Sequence, residues 1–309
     1  MKGLIRFLGI LVLMAALALP AGPVSAAYTN TTFFYDDVTL TGGVDNGHFP
    51  NIWDVSACPL TLTGRVDLTG LSAGWNTFAN VQLGVRTVGY SDFSPDGQGV
   101  WIHFDHATGP GAVHSVALTI TGGSAVVSID GAAQPAVPLQ GDPAQMQVFY
   151  GLDGYYAQHT VVLSALQVSG CLVLENGTVN GGGAFYAEDS GGPGNVIPGG
   201  RGSFAFLAKR KDNANTGHIK FVYELNDIRL ESASFDWVTV SDTQGIFEGT
   251  GELNGAGGYK FRVRAVDGNR TGTTDRFEIR IWTAGSSFDA PTYRAEGYLA
   301  QGQIVVHKK

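Results

Sequence analysis

The sequence lacks helical periodicity almost everywhere. Beyond the first 26 residues, no stretch repeats apolar residues at i, i+3, i+4 and i+7, the spacing of an amphipathic helix. Glycine instead occurs 44 times, and short alternating apolar and polar runs are separated by Gly, Asp, Asn and Pro. This pattern predicts an all-β chain built as sandwiches or barrels.

Cations are nearly absent from one half of the chain. Residues 27–170 contain eleven Asp and no Glu, against two Arg and no Lys, which gives a net charge of −9. Residues 171–309 contain sixteen acidic residues and fifteen Lys or Arg, which gives a net charge of −1. So abrupt a change predicts two separately derived domains. The acidic half lacks the cations that neutralise phosphates, so nucleic acid is not expected as a partner.

Long apolar runs are also scarce, and the only one lies at the N-terminus. Residues 7–19 are apolar, follow Lys2 and Arg6, and precede the small residues 24–26. This is the pattern of a cleaved secretory signal, and the run is shorter than the roughly 20 apolar residues that span a bilayer. We therefore expect a secreted or cell-surface protein with no membrane span in the mature chain. An uncleaved anchor is the alternative.

The sequence thus predicts four parts along the chain. They are a signal peptide over 1–26, a jelly-roll-like β-sandwich over 27–170, a junction with a glycine-rich loop over 171–200, and a C-terminal β module over 201–309.

Cysteine occurs only twice, as Cys58 and Cys171. An even count in an exported chain favours a disulfide bond, and two buried free thiols are the alternative. The bond would tie the domain junction to an early strand of the first domain. The loop-entropy account assigns a closure this long about 4–5 kcal/mol.

Short strands recur through the first half. The clearest pair is 113–121 and 124–130, because Gly122-Gly123 between them can adopt the φ > 0 geometry of a tight turn. The segment VALTITGGSAVVSIDG at 116–131 resembles a hairpin of laminin-G-like and concanavalin-like jelly-rolls. That resemblance implies a carbohydrate or a glycan-bearing protein as ligand. The remaining predicted strands are 33–40, 59–68, 80–88, 99–104, 146–150 and 159–168.

The second half is predicted to be an antiparallel β-sandwich or barrel, beginning after a glycine-rich loop that runs to Gly200. Segments 259–266 and 276–282 alternate strictly, so a slip of one residue would bring charges into the core. Their apolar face consists of Phe261, Val263, Ala265, Phe277, Ile279 and Ile281. Their other face, called the charged stripe below, consists of Lys260, Arg262, Arg264, Arg276, Glu278 and Arg280. Further strands are predicted at 203–209, 218–224, 227–231, 236–241, 245–250 and 302–307.

The charged stripe has three interpretations. We favour a solvated outer face with cross-strand Arg–Glu pairs, because such exposed pairs are common and contribute little. Alternatively, the stripe docks against the acidic first domain, or it holds an anionic surface polymer.

Six blocks of the second half occur in the order of a module found at the C-termini of bacterial exported and surface proteins. The chain resembles this module over about 180–309. The resemblance implies an all-β tail module of an exported protein, and it implies no chemistry. The blocks are Gly181-Gly182-Gly183, GSFAFLAKRK (202–211), SFDWVTV (234–240), FEGTGELNGAGGYKFRVRAVDG (247–268), DRFEIRIW (275–282) and QIVVHKK (303–309).

No catalytic constellation is recognisable. Residues 188–193 (EDSGGP) resemble the serine segment of chymotrypsin-type proteases, but the histidine segment that this chemistry needs is absent. Many jelly-roll glycosidases use paired Glu, and the first domain has none. An unrecognised Asp- or His-based site, at Asp36-Asp37 or at 103–106 (HFDH), would instead make a secreted hydrolase.

Metal binding has only weak candidates. The segment 103–106 offers three potential ligands without a fourth nearby. Calcium suits the oxygen-rich loops at 45–46, 92–96 and 267–275 better, although ordinary turn chemistry explains most of these residues. No cofactor is predicted beyond such a structural calcium.

Aromatic residues are the best candidates for a ligand surface, since flat rings offer contact area at a low entropic cost. We select Trp53, Trp75 and Tyr90 as ligand-binding residues, and we place Trp101 in the core because it alternates within a strand. The sequence therefore predicts a non-catalytic exported protein that binds a glycan or a surface polymer through its N-terminal domain. A secreted hydrolase and a structural envelope or matrix component are the alternatives.

Overall fold

The structure is a computed structural model that describes residues 28–41, 44–71, 80–89, 99–104, 112–153, 160–189, 194–270, 272–283 and 285–309. Over these residues the chain is all-β, as predicted: twelve strands form one curled sheet and eight form a closed barrel. No helix of the described residues is long and apolar enough to cross a membrane. The predicted signal peptide, 1–26, lies outside them.

The curled sheet contains the first twelve strands and is called the sandwich below. Its strands are β1 (Tyr28–Phe34), β2 (Val38–Thr41), β3 (Val44–Trp53), β4 (Leu60–Asp67), β5 (Asn80–Thr87), β6 (Gly99–Phe104), β7 (Val113–Thr121), β8 (Ser124–Ile129), β9 (Ala132–Ala133), β10 (Val137–Pro138), β11 (Met146–Asp153) and β12 (Thr160–Val173).

The sandwich has two layers. One contains β10-β8-β7-β4-β12, with β1 and β2 also paired to β12, and the other contains β3-β11-β5-β6. The layers join through the single pair of Leu172 with Trp53, so the sheet can fold back on itself around one core. The strand predicted at 33–40 is divided between β1 and β2, and β3 was not predicted.

The predicted hairpin between β7 and β8 is present. Gly122 and Gly123 form its turn with φ values of 57° and 78°, which side chains other than glycine rarely adopt. Along β7 every second residue is buried, from His114 to Ile120, as expected for a strand with one face on the core. Cys58 and Cys171 form the predicted disulfide, with Cα atoms 5.7 Å apart.

The second unit is a closed antiparallel barrel in which each strand pairs with the next and the first pairs with the last. Closure leaves no unpaired sheet edge. The strands are β13 (Gly177–Tyr186), β14 (Arg201–Lys211), β15 (Ala214–Tyr223), β16 (Ile228–Val240), β17 (Gln244–Leu253), β18 (Ala256–Val266), β19 (Arg276–Thr283) and β20 (Tyr293–Lys308).

The junction predicted over 171–200 is shorter than expected. β12 continues to Val173 and β13 starts at Gly177, so only residues 174–176 join the two units. Gly181-Gly182-Gly183 was predicted to be loop but lies inside β13. A Cβ on Gly181 would lie 2.9 Å from the carbonyl oxygen of Gln303, so the closeness of the neighbouring strand explains glycine at this position.

The barrel is filled by side chains. All six residues of the predicted apolar face are buried to at least 99%, and they pair as Phe261 with Ile281, Val263 with Ile279, and Ala265 with Phe277. Aromatic rings supply much of the volume, with Phe204 and Phe277 stacked at a centroid distance of 4.0 Å. The other core phenylalanines are Phe185, Phe206, Phe221 and Phe247.

Barrel and sandwich share one core at their contact. Trp237 and Ile246 lie on barrel strands, but they pack into the hydrophobic cluster of the sandwich. Trp237 lies 6.5 Å from Phe33 of β1, measured between ring centroids. The barrel wall therefore closes one side of the sandwich core.

The charged stripe forms the polar part of the same contact. Arg262 is buried, binds Glu248 at 2.6 Å, and donates hydrogen bonds to the Thr32 carbonyl oxygen and to the Thr31 hydroxyl, each at 2.7 Å. The interpretation of the stripe as a solvated face is therefore wrong, and docking against the first domain is correct. The stripe lies opposite an acidic domain, and burial strengthens each matched pair.

Asp36 is the acidic residue at the centre of this contact. Its carboxylate accepts from Arg264 at 2.8 Å and from Arg276 at 2.9 Å. Burial raises the pKa of Asp36, but the two guanidinium groups outweigh it and hold the pKa below its usual value. Asp36 is therefore an ionised structural group of the interface.

Candidate functional site

The outer face of the β3-β11-β5-β6 layer, on the side away from the sandwich core, carries an aromatic pair. Phe149, Gly84 and Trp101 lie opposite one another on β11, β5 and β6. Gly84 has no side chain, so the two rings meet above it edge to face, with centroids 5.9 Å apart. A Cβ on Gly84 would lie 2.6 Å from the Cβ of Trp101. The arrangement therefore depends on glycine at this position.

A polar row runs beside the aromatic pair. Gln147 of β11 lies opposite Arg86 of β5, and the guanidinium of Arg86 sits 5.1 Å from the ring centre of Phe149. This cation–π contact orients Arg86 along the face. The backbone pairing that aligns the strands thus places an amide, a guanidinium and two rings next to one another.

His48 of β3 completes this surface. It is exposed and lies opposite Phe149 in the strand pairing. Burial and the charge of Arg86 lower the pKa of His48, while Asp242 acts in the opposite direction. The imidazole is therefore neutral at pH 7, with one nitrogen to donate a hydrogen bond and one to accept it.

A groove of about 680 Å³ lies between the sandwich and the barrel, and neither Trp101 nor Phe149 is among the described residues that line it. His48, Ile52, Arg86 and Gln147 are on its sandwich side, and Asp242, Thr243 and Lys308 are on its barrel side. This volume lies within the usual range of ligand sites, which is about 300–1,000 Å³. Alternating apolar and polar groups along one groove can bind a ligand that has both ring faces and hydroxyl groups.

The predicted ligand-binding residues fall in different places. Trp53 is completely buried and packs edge to face against Phe33, so it offers no ring face to a ligand. Trp75 and Tyr90 lie outside the described residues, although Gly89, which precedes Tyr90, lines the groove. Tyr155 and Tyr156 also lie outside them.

The expectation that Trp101 lies in the core is wrong. Its strand does alternate, but Val100, Ile102 and Phe104 are the core residues, and Trp101 points the other way. Two sequence signals could have located this surface. A glycine in mid-strand often marks a close approach of neighbouring chains, and Arg86 is one of only two cations between residues 27 and 170.

The proposed Asp-based site at Asp36-Asp37 does not form a cleft. Asp36 is bound by two arginines, and Asp37 accepts a hydrogen bond from the Ala165 backbone N–H at 3.3 Å. Asp36 and Asp37 are therefore structural residues, because each carboxylate already binds groups of the protein. His103 is exposed on the outer face, while Asp105, His106 and the segment 190–193 lie outside the described residues.

No cluster of three or more His, Cys, Asp or Glu able to hold a metal ion occurs in the described part of the chain. In the predicted calcium loop at 267–275, Asp275 accepts backbone N–H groups of Gly268 (2.9 Å) and Ile304 (2.6 Å). Asp267 accepts the N–H of Val306 at 3.2 Å. Both carboxylates therefore tie the loop to β20, and Asp275 also binds within the loop. The loop at 92–96 lies outside the described residues.

Two carboxylates, one from the 174–176 linker and one from the groove, lie near Lys308 at the barrel side of the groove. Lys308 Nζ lies 2.9 Å from Glu175 Oε1 and 3.7 Å from Asp242 Oδ1. Burial raises the pKa of Glu175, and the hydrogen bond from Lys308 offsets part of this rise. Glycoside hydrolysis also uses two carboxyl groups, one of them with a raised pKa.

No family model matches this sequence, and no curated protein matches it significantly. The resemblance of residues 180–309 to bacterial tail modules therefore rests on the sequence blocks alone. Solved structures with some likeness include a GlcNAcα1-4Gal-releasing endo-β-galactosidase from Clostridium perfringens, at 7% identity and a TM-score of 0.25, covering 91% of this chain and 85% of that one. Domains LG4-5 of the mouse laminin α1 chain match at 11% identity and a TM-score of 0.23, covering 96% and 86%. Scores this low carry no functional argument.

Proposed function

We propose that this is an exported, non-catalytic protein that binds a glycan or a surface polymer through the outer face of its sandwich. The observation that carries the proposal is the partly exposed ring of Trp101, which packs edge to face on the buried Phe149, the ring that the Arg86 guanidinium also contacts. Sugar rings have apolar C–H faces and a rim of hydroxyl groups. The partly exposed Trp101 ring can pack on an apolar sugar face, and the Arg86 guanidinium in the groove can donate hydrogen bonds to hydroxyl groups.

Export is part of the proposal and has its own support. The Cys58–Cys171 disulfide suits an oxidising compartment, and the sequence predicts a cleaved signal at 1–26. N-terminal sequencing of the protein recovered from the medium or envelope should begin at Ala27. A protein that still begins at Met1 would contradict cleavage.

The first test is a glycan-array screen of the mature chain, 27–309, with calcium and again with a chelator. We expect specific binding to at least one glycan class. Loss of binding under chelator would support the predicted structural calcium, and unchanged binding would count against it. A folded sample that binds no glycan would contradict the proposed function and favour a structural envelope or matrix component.

The second test substitutes the ring that carries the proposal. Trp101→Ala should weaken the affinity for the glycan found on the array by about tenfold or more, which corresponds to about 1.4 kcal/mol. Tyr186→Ala is the matched control, because Tyr186 is an exposed barrel aromatic that does not line the groove. Equal affinities for wild type and Trp101→Ala would exclude this face.

Hydrolysis is the second candidate function, favoured by the approach of Glu175 and Asp242 to Lys308. If the protein is a hydrolase, incubation with the bound glycan should release new reducing ends, and Glu175→Gln should abolish the release without abolishing binding. The proposal of a non-catalytic binder predicts binding with no release from the wild-type protein.

A further inference from the structure

The barrel forms one side of the groove through two of its segments. The turn at 241–243, between β16 and β17, supplies Asp242 and Thr243, and the end of β20 supplies Lys308. The sequence-based prediction placed all ligand contacts in the N-terminal domain. The barrel residues are therefore additional candidates for recognition.

The turn at 241–243 is held rigidly by its own domain. Ser241 N–H donates to the Gln244 carbonyl oxygen at 2.9 Å, and Asp267 N–H donates to the Thr243 carbonyl oxygen at 2.8 Å. Arg270 donates to the Asp242 carbonyl oxygen at 2.8 Å. The backbone carbonyl groups of the turn thus have fixed partners, which leaves the side chains in defined positions.

Lys308 is fixed in the same way by its ion pairs with Glu175 and Asp242. Its side chain retains about one third of its surface accessible, so it can still donate to a ligand. An ammonium group has three N–H donors, and these two ion pairs leave one donor for a hydroxyl or acidic group in the groove.

The two sides of the groove also keep a fixed spacing. Gln244, directly after the turn, donates to Asn51 Oδ1 of β3 at 2.7 Å through a buried amide. The buried Arg262 adds its hydrogen bonds to Thr31 and Thr32. The groove between the domains is therefore preformed, and a ligand does not have to bring its sides together, which lowers the cost of binding.

The distance across the outer face sets the size of a ligand that touches both sides. Trp101 is on β6, and the barrel meets the sandwich at β3, three strands away in the order β6-β5-β11-β3. Three strand spacings are about 14 Å. One sugar ring is too small to contact Trp101 and the barrel together, whereas a chain of sugar units can do so.

We propose that the ligand site is composite: an oligomeric glycan lies across the outer face, with one part on the partly exposed Trp101 beyond the groove and another in the groove against Thr243 and Lys308 of the barrel. The barrel residues then determine specificity for ligand length. This inference rests on the proposed glycan-binding function, which itself requires only the sandwich face.

The test measures the affinity of the full mature chain for a length series, from monomer to hexamer, of the glycan identified on the array. For wild type we expect at least a tenfold gain from the shortest to the longest member. Thr243→Trp fills the groove, and Lys308→Ala removes the ammonium; each should reduce this gain to about twofold or less. Lys309→Ala is the matched control and should retain the wild-type gain.

The outcomes separate the two proposals. If wild type binds every member equally, or if both barrel variants keep the full gain with length, the composite site is wrong while the sandwich face still binds glycan. If no member binds at all, the proposed function fails together with the inference. Thermal unfolding of each variant checks folding, and two chemically different barrel variants ensure that one misfolded protein does not decide the result.

Discussion

The sandwich and the barrel use charge in opposite ways. In the barrel, the cationic residues of the charged stripe are bound to acidic groups and aromatic rings at the domain contact; Arg280, for example, lies 4.4 Å from the ring centre of Phe288. In the sandwich, the net charge is −9, and one of its two arginines lies on the outer face. The comparison teaches that the most conspicuous charge pattern is structural, whereas an isolated cation in an acidic domain marks the candidate site.

The largest expected effect comes from removing a structural arginine of the barrel. Arg262→Ala removes the close partner of the buried Glu248, leaving Lys260 at 4.0 Å, and it removes two hydrogen bonds to β1. Breaking a buried pair in this way typically costs about 3–5 kcal/mol, which urea unfolding will measure.

The matched control is Lys260→Ala on the same strand. Lys260 is half-exposed, pairs with Asp236 at 3.5 Å and lies 4.0 Å from the Glu248 carboxylate that keeps Arg262, so we expect a loss below about 1 kcal/mol. Similar losses for Arg262→Ala and Lys260→Ala would contradict the structural role of the stripe.

An effect of similar size comes from removing the disulfide bond, which should destabilise the sandwich and not the barrel. Cys58→Ser with Cys171→Ser opens a bond that lies wholly within the sandwich. We expect a loss of about 4–5 kcal/mol, as loop entropy predicts for so long a closure, seen as an earlier sandwich transition while the barrel unfolds as before. Near-ultraviolet circular dichroism and a fluorophore attached to the barrel, followed in the same experiment, would distinguish the sandwich transition from the barrel transition. A coincident shift of both transitions would mean that the domains unfold as one unit.

A smaller effect tests how the ion pairs between the sandwich and the barrel depend on pH. The pKa of Asp36 is held below its usual value, so its ion pairs are intact above about pH 4 and are lost as the pH falls through the folded-state pKa. Asp36→Asn should cost about 1 kcal/mol at pH 7, since Asp36 is half-exposed and partly screened.

The difference in unfolding free energy between wild type and Asp36→Asn should shrink as the pH falls below 4. Asp227→Asn is the control, because the exposed Asp227 carboxylate pairs with the exposed Arg229 at 3.3 Å in a barrel turn. A difference that stays constant from pH 7 to pH 2.5 would contradict the ionic role of Asp36.

Local patterns in the sequence predicted much of the fold. The β7–β8 hairpin followed from two glycines between alternating runs, and the register of β18 and β19 followed from strict alternation, because both depend on neighbours in the chain. β3 and β13 could not be found this way. β3 is rich in turn residues, and the glycines of β13 are explained only by the strands that approach it across the closed barrel.

The candidate site was less predictable than the fold. The sequence assigned Trp101 to the correct strand but to the wrong face, because the apolar Val100, Ile102 and Phe104 alternate with it and one tryptophan does not show which set faces the core. The groove joins residues from β3, β5, β11 and the barrel, and its barrel side depends on how two domains pack. That packing in turn depends on the charged stripe. The sequence alone does not show whether the stripe contacts solvent, the first domain or a surface polymer.

The most direct test of the account observes the tryptophan indole N–H groups during a glycan titration. The chain has five tryptophans, so a ¹⁵N-labelled sample gives few signals, and Trp101→Phe assigns the one of interest. We predict that the Trp101 signal shifts with saturation, while those of the buried Trp53 and Trp237 do not. Saturable binding that leaves the Trp101 signal unmoved would contradict the outer face as the ligand site.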